Sequence, residues 1–422
     1  MEPTAGSTIA VAPAADVRAC RVELGGIVQG VGLRPFVCRL AHDLDVVGWV
    51  ANDARGVVVH VEGDRASVAA FLERLPREAP ARARIEHLCF RDLPAEGHEG
   101  FTVAASRDVD VHVVPVAADT ATCAACVAEL FDPRDRRQRH AFLSCTACGP
   151  RFTIVRDVPY DRVRTTMAGF PLCATCACEY DDTRDRRFHA EPIACHDCGP
   201  RLRWLDHRGS ERPGDPIEAA ALALRRGAIV AVKGVGGYHL AVDATSADAA
   251  GRLRSRKHRW EKPFAVLVAD LAAARELAEV DATAAAWLTS PAAPIVLVPK
   301  RGGAPLAEGV APRQRRVGLM LPNAPIHHLL ARAVGRPLVL TSGNVVDEPI
   351  AYRDEDARVR LSAIADFFLA HDRAIHVRAD DSVVAVDAGR ATMVRRARGY
   401  SPEPLRLPIV SPRPVLACGA EL

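Results

Sequence analysis

Residues 18–104 alternate between strand-like and helix-like hydrophobic patterns. The run RVELGGIV is typical of a strand, and the apolar residues from Leu33 to Leu44 recur at helical spacing. The alternating run GVVVHVEG is typical of another strand. The predicted elements, in chain order, cover residues 21–28, 33–44, 46–53, 56–63, 67–75, 84–91 and 101–104. The first six follow the order β-α-β-β-α-β, and with the short strand at 101–104 they predict a ferredoxin-like domain.

Residues 212–400 show a second series of elements, which begins after the Pro- and Gly-marked stretch HRGSERPGDP. A short amphipathic helix is predicted from Ile217 to Arg226 and ends at Gly227. The run IVAVKGVGGYHLAVDA then predicts a strand, a glycine-rich turn and another strand. PLVLTSGN predicts the end of a further strand, and residues 371–400 predict paired strands. We therefore expect an α/β domain here, in a multidomain chain of the α+β class.

Composition places the chain among ordinary globular proteins. Of its 422 residues 49% are hydrophobic and 25% are charged, and the net charge of +3 gives no reason to expect a nucleic acid or an anionic membrane as partner. No run of about 18 apolar residues predicts a membrane span, and residues 1–17 lack the basic start of a secretory signal. We predict a disordered tail at 1–17 and a cytoplasmic location.

Cysteine spacing reveals an internal repeat. Eight of the 13 cysteines form Cys-x2-Cys pairs, and the pattern C-x2-C-x18-C-x2-C occurs twice. The surrounding residues repeat as well, because PRDRRQRHAFLSCTACGPRF is echoed 50 residues later by TRDRRFHAEPIACHDCGPRL. The paired cysteines are Cys123, Cys126, Cys145, Cys148, Cys173, Cys176, Cys195 and Cys198.

This repeat predicts metal binding. Two thiolates separated by two residues can bind one ion, and two such pairs complete the tetrahedral sulfur shell typical of Zn²⁺. Disulfides are the less favoured alternative, because they belong to secreted proteins and no export signal is present. We predict two structural zinc sites in a double zinc-finger module over residues 119–202. The spacing leaves open whether each copy binds its own ion or whether the first pair joins the last. The remaining cysteines are expected to pack or stay free: Cys20, Cys38, Cys89, Cys178 and Cys418.

A glycine-rich loop precedes the first predicted helix, in the stretch GGIVQGVGLRPF. Such a loop presents backbone N–H groups at a helix N-terminus, where they and the helix dipole favour an anion. Arg34 adds a cation with bidentate geometry for phosphate oxygens. The loop therefore predicts a phosphate site.

The same residues resemble the acylphosphatase fingerprint. The match comprises Gly26, Val28, Gln29, Gly30, Val31 and Arg34, followed by Asn52 at the end of a strand. The resemblance implies that Arg34 and the loop amides hold the phosphate while Asn52 orients the attacking water. The implied phosphate-binding loop comprises Gln29, Gly30, Val31, Gly32 and Leu33.

Basic residues also cluster near the glycine-rich turn of the 212–400 region. Lys233 stands at the mouth of this turn, and the run RSRKHRWEKP adds further cations. Like charges in this number favour a polyphosphate ligand over a solvated helix face. The polar groups of TSGN end a strand and suit phosphate or ribose contacts. Asp380 and Asp381 are candidate magnesium ligands, or else turn caps.

Three motifs of this region resemble those of YrdC-type domains: K-G-x-G-G-Y-H, R-K-H-R-x-x-K-P and T-S-G-N. The resemblance implies that the region binds ATP and makes carbamoyl-type adenylates. The candidate ligands of ATP and carbamoyl adenylate are Lys233, Gly236, Gly237, Tyr238, His239, Arg256, Lys257, Arg259, Lys262, Thr341, Ser342, Asn344, Arg378, Asp380, Asp381 and Arg396.

The order of the three regions resembles the HypF family, the carbamoyltransferases of [NiFe]-hydrogenase maturation. The resemblance implies hydrolysis of carbamoyl phosphate to carbamate, then formation of carbamoyl adenylate from ATP with Mg²⁺ and release of pyrophosphate. It further implies transfer to the C-terminal cysteine of HypE, as precursor of the cyanide ligands. In the family a large transferase domain follows. Residues 401–422 are interpreted as a linker and the start of such a domain. Without that domain we expect the transfer to be absent or supplied elsewhere.

Two alternatives stay open at the level of sequence. One is a threonylcarbamoyl adenylate synthase that serves tRNA modification, although this role gives no reason for the acylphosphatase-like region. The other is a nonenzymatic zinc scaffold. In that case the basic residues of the module could contact nucleic acid, although Asp135 and Asp185 beside them favour a solvated, self-paired surface. Those basic residues are Arg136, Arg137, Arg186 and Arg187.

Overall fold

The computed structural model describes residues 17–106, 114–346, 348–405 and 407–416. The chain divides into two compact units, residues 1–114 and 115–422. The predicted tail, apart from Val17, lies outside the described residues, as does Cys418. No helix in the described ranges is long and apolar enough to cross a membrane.

The first unit confirms the predicted ferredoxin-like order. Its elements are β1 (Val17–Ile27), α1 (Leu33–Asp43), β2 (Val47–Asp53), β3 (Gly56–Asp64), α2 (Arg65–Arg77), β4 (Arg84–Leu93) and β5 (Phe101–Val103). They form one sheet of order β4-β1-β3-β2-β5, in which β2 pairs with β5 in parallel and the other pairs are antiparallel. Alternate residues of β1, such as Cys20, Val22 and Leu24, are buried, as expected for a strand with one covered face, whereas β3 is buried at every position from Gly56 to Glu62.

The second unit begins with the cysteine-rich repeats. Each repeat contains one short helix, which starts directly after the first cysteine of its first pair: α3 (Ala124–Phe131) and α4 (Ala174–Asp181). Two 3₁₀ turns, Arg162–Arg164 and Thr166–Gly169, lie between the repeats. The module has little regular structure, because its core consists mainly of the cysteines and a few apolar residues around them.

The rest of the second unit is an α/β region. Its elements are β6 (Leu202–Asp206), α5 (Pro216–Arg225), β7 (Val230–Lys233), β8 (Tyr238–Asp243), α6 (Ala247–Lys257), β9 (Ala265–Leu267), α7 (Leu271–Leu277), α8 (Ala282–Leu288), β10 (Ile295–Pro299), β11 (Arg316–Met320), α9 (Pro325–Val334), β12 (Leu338–Ser342), α10 (Asp354–Leu361), β13 (Phe367–His371), β14 (Val383–Asp387) and β15 (Arg390–Arg395).

These strands form a ten-stranded mixed sheet of order β15-β14-β10-β11-β9-β12-β8-β7-β13-β6. Neighbouring residues of one strand, such as Ala231 and Val232, belong to different apolar clusters, so both faces of the sheet are covered. Helices α6, α7, α8 and α10 contribute to one cluster, and α5 and α9 to the other. The second cluster also includes Leu130 and Phe142, so the finger module packs directly on this face.

The sequence patterns do not predict strand β6. It immediately follows the last cysteine pair, yet it pairs with β13, more than 160 residues later along the chain. Trp204 of β6 stacks on Phe367 of β13 with ring centroids 4.9 Å apart. The end of the finger module is therefore continuous with the edge of the large sheet.

Candidate functional site

The predicted phosphate loop of the first unit is held by Gln29. Its Nε2 donates to the carbonyl oxygens of Asp53 and Gly56, each at 2.7 Å, and so ties the loop to the β2–β3 turn. Gly30 and Gly32 have φ angles of 71° and 84°, which other residues adopt only with strain. Gly32 is also the N-cap of α1. The loop thus turns tightly onto the start of the helix, as its glycines predict.

Arg34 and Asn52 come together although they lie on different elements. Arg34 belongs to the first turn of α1 and is 8% exposed, whereas Asn52 belongs to β2 and is 1% exposed. With its amide oriented so that Oδ1 faces the guanidinium, Asn52 accepts from Nη2 of Arg34 at 3.2 Å and from Nε at 3.3 Å. A fixed cation and a fixed amide beside a helix N-terminus can bind and orient an oxyanion.

The eight paired cysteines form two sets of four, and each set comes from one repeat. Within each set the sulfurs lie within 4.8 Å of one another. The Sγ–Sγ distances include 3.5 Å for Cys126 to Cys148 and 3.7 Å for Cys145 to Cys148. A tetrahedron with Zn–S bonds of about 2.3 Å has edges of about 3.8 Å, so the geometry fits zinc. The crossed pairing is therefore wrong, and none of the described cysteines forms a disulfide.

The basic residues of the first repeat contact the sulfur cluster of the second. Arg136 Nη2 lies 2.9 Å from the Cys176 Sγ, and Arg137 Nη2 lies 3.3 Å from the same sulfur. Both guanidinium groups also pair with Glu179. Arg137 Nε donates to the carbonyl of Ala194 at 2.8 Å.

The arginines of the second repeat make the equivalent contacts to the first repeat. Arg186 Nη2 lies 3.0 Å from Cys126 Sγ, and both Arg186 and Arg187 pair with Glu129 of the first repeat. The Arg187 side chain is only 5% exposed. The prediction of a solvated, self-paired surface is therefore wrong for these arginines. Asp185 instead accepts from the backbone N–H of Arg187 at 2.7 Å and shapes a turn.

A third set of potential metal ligands, His60, Glu62 and His98, lies in the first unit. The Glu62 carboxylate already accepts from the backbone N–H groups of Glu96 and Gly97 and lies 2.6 Å from His60 Nε2. Although burial opposes ionisation, these hydrogen bonds lower the pKa of Glu62 to about 2. The set is thus explained as an anchor for the loop that contains Glu96 and Gly97.

In the α/β region, Lys257 joins two of the predicted motifs. Its Nζ donates to the carbonyl oxygens of Ser342 and Asn344 at 2.9 and 2.6 Å and to Asn344 Oδ1 at 2.7 Å. Ser342 Oγ donates to the same Oδ1 at 2.6 Å. Burial, with the charges of Arg259 and Lys262, lowers the pKa of Lys257 to about 7. Lys257 therefore positions the TSGN segment, because its three N–H groups all have acceptors.

Lys233 is buried at the start of the glycine-rich turn. Its Nζ lies 2.6 Å from a carboxylate oxygen of Asp354 and donates to the carbonyl of His371 at 2.9 Å. Tyr238 Oη donates to the same carboxylate at 2.8 Å. Sequence reasoning missed Asp354, because an acidic residue in the first turn of a helix is most often a cap.

The glycines of this turn allow a close approach. A Cβ on Gly236 would lie 2.3 Å from the Ala379 carbonyl oxygen, and one on Gly237 would lie 2.7 Å from the Ile350 side chain. Ala379 N also donates to the Gly236 carbonyl at 2.9 Å. The predicted glycine motif and the segment 378–380 therefore lie side by side, which brings Arg378 and Asp380 to this turn.

Asp381 does not fit its predicted role as a magnesium ligand. Its Oδ2 lies 2.9 Å from His239 Nε2, and its Oδ1 accepts from Arg398 Nε at 2.9 Å. Burial opposes ionisation of this carboxyl, but Arg398 and His239 hold its pKa well below the usual range. Asp381 and His239 are thus part of a buried ion-pair network, whereas Asp380 is partly exposed.

Other predicted phosphate contacts are engaged with protein groups. Arg256 donates to Asp366 at 2.7 Å. Arg259 donates to the carbonyls of Lys262 and Pro263. Arg396 donates to the Glu403 carbonyl at 2.7 Å. Thr341 is buried in β12, where it pairs with Leu240. The structure therefore does not gather all the predicted cations at one point.

Comparison with known families matches these three regions. Residues 20–103 match the acylphosphatase family, residues 122–155 and 172–205 match the HypF finger, and residues 222–397 match the Sua5/YciO/YrdC family, which is described as telomere recombination. An acylphosphatase of Thermotoga maritima is 38% identical over 88 residues, which are 21% of this chain and 97% of that protein. The chain thus combines an acylphosphatase domain, paired zinc fingers and a YrdC-type domain.

Whole-chain relatives share this combination. Carbamoyltransferase HypF2 of Cupriavidus necator is 48% identical over 94% of this chain and 52% of its own length, and carbamoyltransferase HypF of Rhodobacter capsulatus is 50% identical over 93% and 52%. A crystal structure of full-length HypF in a phosphate- and nucleotide-bound form has a TM-score of 0.88 at 43% identity and covers 92% of this chain and 51% of that one. The chain is similar to HypF proteins over nearly its whole length and spans about half the length of the relatives it matches.

Proposed function

We propose that this chain converts carbamoyl phosphate and ATP into carbamoyl adenylate. The observation that carries the proposal is that one chain holds both an Arg34–Asn52 oxyanion cradle and a second, basic site around Lys233 and Lys257. The similarity of the chain to carbamoyltransferase HypF2 and to a HypF crystal structure supports the same function.

In the first reaction, water and carbamoyl phosphate give carbamate and phosphate. Arg34 and the N–H groups of residues 29–33 hold the phosphate oxygens, and Asn52 orients the attacking water. The bond between phosphorus and the acyl oxygen breaks, and carbamate leaves with that oxygen. No covalent nucleophile is needed, because positioning of the water and stabilisation of the negative charge in the transition state can accelerate the reaction.

In the second reaction, a carbamate oxygen attacks the α-phosphorus of ATP and pyrophosphate leaves. Lys233, Lys262 and Arg378 are the cations proposed to bind the phosphates. Lys257 holds Ser342 and Asn344 in place for contacts to phosphate or ribose. Mg²⁺ bound with the triphosphate would neutralise negative charge, and Asp380 is the carboxylate proposed to hold it.

The two four-cysteine clusters are proposed to bind Zn²⁺ as structural ions. Four sulfurs fill the tetrahedral shell of each ion, so no coordination position is left for a substrate. The zinc ions then stabilise the finger module, which packs on the apolar cluster beside α5 and α9.

We place this activity in hydrogenase maturation in the cytoplasm. The carbamoyl group would then pass to the C-terminal cysteine of HypE, as a precursor of the cyanide ligands of the [NiFe] centre. This transfer is proposed for the full-length relatives, since the chain spans about half of their length.

The test is incubation of the chain with ¹⁴C-carbamoyl phosphate and ATP. We expect phosphate, pyrophosphate and a labelled mixed anhydride. Formation of pyrophosphate with threonine and bicarbonate, but not with carbamoyl phosphate, would overturn the proposal in favour of a threonylcarbamoyl adenylate synthase. Failure to bind nucleotide would overturn it in favour of a scaffold.

A further inference from the structure

Arg373 is a buried cation with no carboxylate partner in the described part of the chain. It follows β13 and is 6% exposed, and its Nε has no hydrogen-bond partner among the described residues. No carboxylate among the described residues lies within 4 Å of its guanidinium, which is 5.2 Å from the ring centre of Phe142. Burial of an unpaired cation costs free energy unless an anion or a water molecule interacts with it. Arg373 is therefore unlike the buried Arg137, Arg187 and Arg398, which all have partners.

Other unsatisfied polar atoms surround the same phenyl ring. His371 and His140 have ring centroids 5.0 and 5.8 Å from that of Phe142. Both histidines are buried, and His371 Nδ1 and His140 Nε2 have no hydrogen-bond partner among the described residues. Burial lowers the pKa of His140 to about 3 and that of His371 well below its usual range, so both rings are neutral.

Asp119 contributes an unsatisfied acceptor to the same region. Its Oδ1 accepts from Thr153 and from the backbone N–H of Arg151, but its Oδ2 has no partner within the described ranges. Burial lowers the pKa of Arg373 to about 10, and Asp119 is the charge that most opposes this shift. The Arg373 cluster, defined as Asp119, His140, His371 and Arg373, thus offers one cation, one anion and two neutral rings.

This cluster adjoins the proposed adenylation site. Lys233 Nζ donates to the carbonyl of His371, two residues before Arg373. The finger module supplies Asp119, His140 and Phe142, so the cluster lies where that module covers the α/β region. A small ligand bound here would be shielded from water and close to Lys233.

We propose that Arg373 binds the carboxylate of the acid that is adenylated, and that this acid is a one-carbon carboxylate such as carbamate. The proposal rests on the proposed function. The two terminal nitrogens of a guanidinium match the two oxygens of a carboxylate. The Asp119 oxygen without a partner in the described ranges can accept from the amino group of carbamate, which has two N–H groups where bicarbonate has a single O–H. Arg373 is thus a substrate-binding residue, and Asp119 sets the preference between the two acids.

The first test measures ATP–pyrophosphate exchange by the full chain with ammonium carbamate or bicarbonate as the acid. We expect Arg373→Gln to raise the KM for carbamate at least tenfold, Arg373→Lys to raise it less, and both to leave the Kd for ATP unchanged. Asp119→Asn keeps the Oδ1 acceptor and should reduce the preference for carbamate over bicarbonate. The exposed Arg203, which pairs with Glu211, provides the control Arg203→Gln.

The second test does not depend on catalysis. ¹³C-formate serves as a carboxylate probe, and its NMR line should broaden with the unaltered chain and with Arg203→Gln but not with Arg373→Gln. Equal broadening by all three chains, or an Arg373→Gln chain with unchanged KM for carbamate, would overturn the proposal. Formate binding without any exchange would instead refute the proposed function and leave the carboxylate site in place.

A separate observation concerns the two metal sites. The arginines of each finger repeat contact the sulfurs of the other repeat, through Arg136 to Cys176 and Arg186 to Cys126. A site of four thiolates with one Zn²⁺ carries a net negative charge, and N–H donors to its sulfurs reduce this charge and stabilise the bound ion. We infer that Arg136 of the first repeat helps to retain the zinc ion of the second repeat, and that Arg186 of the second repeat helps to retain the zinc ion of the first.

The test follows zinc transfer from the full chain to the chelator 4-(2-pyridylazo)resorcinol. Arg136→Gln should speed release of one of the two zinc equivalents by about tenfold. The controls Arg134→Gln and Arg184→Gln change arginines that are 90% and 89% exposed and pair only with Asp132 and Asp182 among the described residues. Release from Arg136→Gln at the rate of these controls would overturn the inference.

Discussion

The two candidate sites differ in how far apart their residues lie along the chain. In the first unit the site comes from one loop, the helix turn after it and the adjacent β2 strand, between Gln29 and Gly56. In the α/β region Lys257 contacts Asn344 and Lys233 contacts His371, over separations of 87 and 138 residues. The first site is therefore a local motif, and the second exists only after the large sheet has formed.

The two units also differ in what stabilises them. The first has a sheet and two helices around an apolar core. The second contains a module whose core is mainly cysteine, so its folding free energy should depend on bound metal. The two units should therefore respond differently to metal removal.

Removal of zinc is expected to have the largest effect. Each structural site contributes on the order of 10 kcal/mol to folding, so chelation or Cys126→Ser should unfold residues 119–202. The first unit contains neither four-cysteine cluster and should keep its thermal transition. Differential scanning calorimetry with and without chelator measures both. Cys178→Ser is the control, since Cys178 is exposed and belongs to neither cluster. An unchanged melting profile after chelation would refute a structural role for the metal.

Asp381→Asn is expected to destabilise the second unit by about 3–5 kcal/mol, because it leaves the buried Arg398 unpaired. Urea denaturation measures the change. The control Asp387→Asn removes an exposed pair with Arg316 and should cost less than about 1 kcal/mol. If Asp381 were a magnesium ligand instead, its variant would keep its stability and require more Mg²⁺ for nucleotide binding.

Arg34→Ala is expected to reduce phosphate release from carbamoyl phosphate by about 10²–10³-fold, the usual loss for one donor to a developing oxyanion. The fold should persist, as judged by circular dichroism. Arg39→Ala changes an exposed arginine on the same helix and should leave the rate unchanged. Equal rates for both variants would show that the loop is only a glycine-rich turn.

The smallest expected effect is a pH dependence of nucleotide binding. The pKa of Lys257 is about 7, so its ammonium form predominates below pH 7 and is lost as the pH rises. The charged hydrogen bonds from Lys257 to Asn344 are then lost, and ATP affinity should fall about fivefold between pH 7 and 8. Lys257→Arg stays charged and should flatten the profile in isothermal titration calorimetry. The same slope in both chains would assign the pH dependence to another group.

Much of this molecule could be predicted from local pattern. The order β-α-β-β-α-β, the turn around Gly30 and Gly32, and the cysteine repeat all rest on residues close together in sequence. Backbone periodicity and ligand spacing act over a few residues, and so the sequence by itself determined the ferredoxin-like domain and the capacity for two metal sites.

Only the tertiary structure decided which groups meet. In the fold, the four cysteines of each repeat form one cluster, and arginines of each repeat contact a sulfur of the other repeat. Strand β6 pairs with β13. The fold also places Asp381 in an ion pair with Arg398, and Asp354 beside Lys233. Such contacts depend on strand order and helix packing over long separations, which local propensity does not encode. A carboxylate that reads as a metal ligand in the sequence can therefore be a structural counter-ion in the fold.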